Sequence, residues 1–68
     1  MHVRVNGEDR ELAEGVSVAA LLESMSLEVN GIAVALNMEI VRRGEYGDTH
    51  LSDGDEVEIV RAVGGGRS

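Results

Sequence analysis

Three consecutive glycines, Gly64-Gly65-Gly66, follow the apolar run Ile59-Val60-Arg61-Ala62-Val63 near the end of this 68-residue chain. Glycine has no Cβ, so such a segment can take almost any backbone conformation and enter a cleft too narrow for a side chain. The run before it has strand character and would hold the root of the tail in one place. If the chain finishes at Gly66, its last chemical group is a slim, exposed α-carboxylate, ionised at neutral pH because the ordinary pKa of such a group is about 3.5. A partner enzyme can activate a carboxylate of that kind. Composition alone leaves a second reading open, because a frayed or cloning-derived terminus is also glycine-rich. The fold ahead of the tail has to decide between the two.

Little else in the chain offers chemistry. Cysteine is absent, which removes disulfides, thiolate metal ligands and any persulfide-forming thiol of the chain's own. His2 and His50 are far apart in sequence and lack supporting ligands, so neither a metal nor a catalytic role is expected for them. Asp53 and Asp55 flank Gly54 without the other ligands of a calcium loop, and read as turn chemistry. The three tail glycines precede no helix and so form no phosphate loop. With no activated nucleophile and no acid–base pair in an evident cleft, a stand-alone enzyme is not expected. A net charge of -7 argues against nucleic acid; it suits a basic protein partner, or simply solubility.

The elements that must position the tail belong to one small domain, since a chain this short buries only about 60% of the surface its unfolded form exposes. With 43% hydrophobic residues it is apolar enough to fold alone. No apolar run approaches the ~20 residues that span a bilayer, and the opening is too short and alternating for a signal peptide. A cytoplasmic location away from membranes is therefore expected.

Period-two alternation over His2 to Asn6 reads as a half-buried strand, with Val3 and Val5 inward. Asn6-Gly7 suits a type I′ turn, and a second strand through Arg10, Glu11 and Leu12 returns antiparallel. Ser17 is the expected N-cap of a helix from Val18 to about Ser26, supported by Leu21, Leu22 and Met25 at helical spacing. Ile32 to Leu36 reads as a central strand pressed on that helix, and Asn37-Met38 as the next turn. Glu39 to Arg42 is expected as a short edge strand with Ile40 buried, Val41 a second candidate for the core, and Arg42 and Arg43 in water. Gly44 to His50 reads as a polar, solvent-exposed loop, with Tyr46 closing it over the edge of the core. After the Asp53-Gly54 turn, Glu56 to Val63 forms the last strand. On it Glu58, Val60 and Ala62 share the face opposite Val57 and Ile59. Val60 and Ala62 are candidate partner contacts, although Val60 is also what a partly covered edge residue looks like. Arg61 can dock the tail, pair with a carboxylate or stay solvated.

Strand, strand, helix, strand, short strand, strand is the order of a β-grasp, an α+β fold in which a mixed sheet of four to five strands carries one helix across one face. Residues 1–63 would form that domain, with 64–68 as a flexible tail. The chain resembles the ubiquitin-like sulfur carriers, and most closely the ThiS family of thiamin biosynthesis. The matching residues are Val5-Asn6-Gly7-Glu8, Ser17-Val18-Ala19-Ala20-Leu21-Leu22, Ala33 to Val41, Gly54 to Val60 and Val63-Gly64-Gly65-Gly66. Met38 stands where glycine often follows the asparagine of the middle turn. Arg67-Ser68 extends past the glycine pair at which family members end, and would displace the carboxylate by about 7 Å. Either a peptidase removes these two residues or they are a vector remnant, which is the favoured reading.

The resemblance implies a function. An E1-like adenylyltransferase would use ATP and magnesium to convert Gly66 into an acyl-adenylate, with Gly64 and Gly65 threaded into its nucleotide site. Sulfur from a sulfurtransferase or cysteine desulfurase would then turn Gly66 into a thiocarboxylate, which donates sulfur to the thiazole ring of thiamin through thiazole synthase. The chain itself would bind no cofactor and act as co-substrate. Two other readings stay open: a carrier for molybdopterin or another sulfur acceptor, and a ubiquitin-like modifier or interaction module.

Overall fold

The computed structural model describes residues 1–61. Five strands and one helix succeed one another as β1 (His2–Val5), β2 (Glu8–Glu11), α1 (Val18–Ser24), β3 (Ile32–Leu36), β4 (Glu39–Val41) and β5 (Glu56–Arg61), with a 3₁₀ turn at Arg43–Glu45. They form a single mixed sheet in the order β2-β1-β5-β3-β4. The last strand is thus the middle one, parallel to β1 and antiparallel to β3. This is the β-grasp arrangement, with five strands.

Alternation decides which side chains meet the helix. Val3, Val5, Val34 and Val57 lie on one face of the sheet and are buried together with Val18, Leu21 and Leu22 of α1. Each such side chain taken out of water stabilises the fold by about 1.5–3 kcal/mol before entropy is counted. Tyr46 and Leu51 complete the same cluster.

Ser17 caps α1 as the sequence predicts, its Oγ accepting from the Ala20 amide at 3.1 Å. The far end stops earlier than expected, at Ser24. Ser26 takes a left-handed conformation with φ of 59°. Its amide donates to the Glu23 carbonyl and that of Leu27 to the Leu22 carbonyl, both at 3.0 Å. These two bonds are the Schellman closure of a helix C-terminus.

Both two-residue hairpin turns begin with asparagine at positive φ, Asn6 at 52° and Asn37 at 50°. The second turn closes although Met38 must hold φ of 71°, a conformation that favours glycine. The first turn pairs Val5 with Glu8, so β2 begins two residues before the predicted Arg10.

Two expectations are corrected. Ile40 is not buried but 73% exposed, because it stands opposite Ala35 while Val41 stands opposite Val34. Neighbouring strand residues point to opposite faces, so Ile40 and Val41 cannot both reach the core. The strand also ends at Val41, leaving Arg42 outside it. The segment from Gly44 to His50 is mostly exposed, as expected, with Tyr46 buried at the edge of the core, but it also docks on the helix. The Thr49 carbonyl accepts from the Val18 amide at 2.8 Å and the Tyr46 carbonyl from the Ala19 amide at 3.0 Å. The helix leaves its first amides without internal partners, and this segment supplies them.

Candidate functional site

The expected site is built from the end of β5 outward. Gly64, Gly65, Gly66 and Ala62 lie outside the described residues, as do Val63 and the two residues after Gly66. Val60 and Arg61 lie inside, at the end of the central strand. The root of the tail is therefore flanked by sheet on the β3 side, where Ile32 stands opposite Arg61 and Ala33 opposite Val60.

On the β1 side the neighbouring strand runs out before β5 does. Strand pairing there extends only from Arg4–Glu56 to Val5–Val57, after which the Asn6 amide donates to the Val57 carbonyl at 2.9 Å. The chain then turns away. In place of a further strand residue, the Asn6 side chain takes over: Oδ1 accepts from the Ile59 amide at 2.8 Å and Nδ2 donates to the Ile59 carbonyl at 3.3 Å. Asn37 does the matching work at the start of β5, its Oδ1 accepting from the Glu56 amide at 2.9 Å and its backbone amide donating to the Glu56 carbonyl at 2.7 Å. Sequence reading recognises both asparagines only as turn formers.

Val60 is 60% exposed and points away from the helix. The register puts Ala33 beside it, and Ala35 between Glu58 and Ile40. The open face of the sheet thus carries an apolar strip of Val60, Ala33, Ala35 and Ile40. Two carboxylates of β5, Glu56 and Glu58, stand on the same face beside it, and beyond Glu56, Arg4 of β1 is ion-paired with Asp9 of β2 at 3.8 Å. Ile40 escapes sequence reading because two β-branched residues in succession, Ile40-Val41, hide which one faces outward. Arg61 is exposed and lines a shallow hollow of about 250 Å³ with Ser26, Leu27, Glu28, Asn30 and Ile32. No ion pair among the described residues holds it.

The remaining candidates serve the fold. His50 Nδ1 lies 2.9 Å from the Gly15 carbonyl, and the His2 backbone amide donates to Asp53 Oδ1 at 2.8 Å. Asp55 accepts from the Ser52 amide at 2.8 Å and from Asn37 Nδ2 at 3.1 Å, which is the turn chemistry the sequence suggests. Among the described residues no group of three or more His, Cys, Asp or Glu could hold a metal ion, and no helix is long and apolar enough to cross a membrane.

Comparison with known proteins extends past the described residues. Residues 3–66 match the model of the ThiS family. The chain is 45% identical over 64 residues to the sulfur carrier protein ThiS of Thermus thermophilus, covering 94% of this chain and 98% of that one. It is 38% identical over 66 residues to a thiazole synthase of Paramagnetospirillum magneticum, covering 97% of this chain. It spans only 20% of the length of that protein. The crystal structure of the thiamine biosynthesis protein ThiS from Geobacter metallireducens superposes with a TM-score of 0.86 at 33% identity, covering 97% of this chain and 100% of that one.

Proposed function

This chain belongs to the ThiS family, and from that premise we propose that it carries sulfur as a thiocarboxylate on Gly66 for thiazole formation in thiamin biosynthesis. The observation that carries the proposal is the extent of the family match, which runs through the whole β-grasp body and stops at Gly66. Arg67 and Ser68 fall outside it. On this reading residues 1–63 are the body and the three glycines are the probe, able to reach about 10 Å beyond that body when extended.

A carboxylate is a poor acyl donor because its oxygen leaves badly. An E1-like adenylyltransferase, using ATP and magnesium, removes that obstacle by joining AMP to the Gly66 carboxylate and releasing pyrophosphate. A persulfide of a sulfurtransferase or cysteine desulfurase attacks the carbonyl and expels AMP. A second thiol then cleaves the new S–S bond, leaving a disulfide behind and the thiocarboxylate on the carrier. Thiazole synthase consumes it; the relative of that name, which contains a stretch like this chain, supports the assignment. The chain is co-substrate in this sequence and not the enzyme. A reaction that consumes ATP and a persulfide belongs in the cytoplasm, where both are maintained. The apolar strip around Val60, with the two carboxylates beside it, is the surface we assign to the adenylating partner.

Intact mass spectrometry of the chain from its native host tests the proposal. The expected species ends at Gly66 and is heavier than the plain acid by the difference between one sulfur and one oxygen atom. Adducts on other proteins, with no sulfur exchange, would overturn it in favour of a modifier.

A further inference from the structure

Resting on that reading, we propose that Asn6 is a positioning residue: its side-chain amide replaces the strand residue that β1 lacks beside Ile59, and so sets the direction in which β5 delivers the tail to the adenylating partner. Asn6 and Ile59 are 53 residues apart in sequence, and both bonds between them, at 2.8 and 3.3 Å, are made by one side chain. A backbone residue in a ladder exchanges an amide and a carbonyl with its neighbour in the same way. Val57 and Ile59 turn their amides and carbonyls towards β1, and Glu58 and Val60 turn theirs towards β3. The β3 ladder alone therefore leaves every second residue of β5 untied. Val57 is tied by the Asn6 backbone and Ile59 by the Asn6 side chain. Without that side chain, the strand would be anchored on one flank only for its final residues. It would hinge there, so the tail would sample directions that miss the partner's cleft. A substrate whose competent form is only part of its population binds more weakly by that fraction.

The same residue also makes the turn, at φ of 52°, so the test has to separate the two duties. Asn6→Gly accepts positive φ and keeps the turn while removing both bonds. Asn6→Asp keeps the acceptor for the Ile59 amide. Asn37→Gly removes the equivalent side-chain bonds at the opposite end of β5 and serves as a control for loss of stability. The readouts are Ile59 amide hydrogen exchange, and KM and kcat for pyrophosphate release by the E1-like enzyme acting on each chain ending at Gly66. Asn6→Gly should speed Ile59 exchange and raise KM about tenfold with kcat nearly kept. Asn6→Asp should recover most of that loss, and Asn37→Gly should leave KM within about twofold of the parent value. Equal KM values for Asn6→Gly and the parent, or equal rises for Asn6→Gly and Asn37→Gly, would reduce Asn6 to a structural residue and leave the carrier function standing. A parent chain that releases no pyrophosphate with the enzyme would instead overturn the carrier function, and this role with it.

Discussion

At Gly65 a branched side chain is the most informative change available, because the proposed threading leaves no room for one. Gly65→Val should leave the melting temperature unaltered and lower pyrophosphate release by the adenylating enzyme by about a hundredfold, the cost of a reacting group held about 1 Å out of place. Undiminished turnover would remove the steric account of the glycines. Val60 tests the docking face in the same assay. It is 60% exposed, so Val60→Asp costs the fold little but puts a charge on the apolar strip; the partner should bind roughly 10- to 100-fold more weakly, in line with a central contact worth about 1.5–3 kcal/mol. Titration calorimetry with the isolated partner reads this directly. Residue types nominate Gly64 to Gly66 only as one of two readings, because a frayed terminus is also glycine-rich, and these residues lie outside the described ones. Nothing local pointed to the second duty of Asn6. Asn-Gly announces a turn whether or not the side chain reaches a strand 53 residues away, and only the assembled sheet brings the two together.

Among the elements, those with a strong internal period were legible. The alternation of Val3 and Val5 and the spacing of Val18, Leu21 and Leu22 match the buried cluster of the fold. Boundaries and the connecting segment were less so, for identifiable reasons. The helix is closed by Ser26, two residues past its end and in the left-handed region, a position that in many helices carries a recognisable glycine. The segment around Tyr46 docks through its carbonyls, and carbonyls are the same in every residue. The two strained positions make a prediction at this scale. A side chain in the left-handed region costs about 1–2 kcal/mol, part of which glycine forfeits through its freer unfolded state. Ser26→Gly and Met38→Gly should therefore each stabilise the domain by roughly 0.5–1 kcal/mol in urea unfolding. The effects should add, since the sites share no partner. A loss of stability at either site would show that its side chain contributes something the backbone strain conceals.

For the molecule as a whole, charge and topology matter more than any one contact. A net charge of -7 over 68 residues favours encounter with a basic surface, and such steering is screened once the Debye length falls to about 3 Å at 1 M salt. The association rate with the adenylating partner, measured by stopped flow, should fall by at least about tenfold between 0.05 and 0.5 M salt. A rate insensitive to salt would assign the charge to solubility alone. The placement of β5 carries a different consequence. Because β5 inserts between two strands that precede it in sequence, the domain has a gap down its middle until β5 itself has been synthesised. On the proposed function, a copy that lacks β5 has no central strand from which to offer Gly66 to an activating enzyme, and ATP would not be spent on charging a carrier that is only half built.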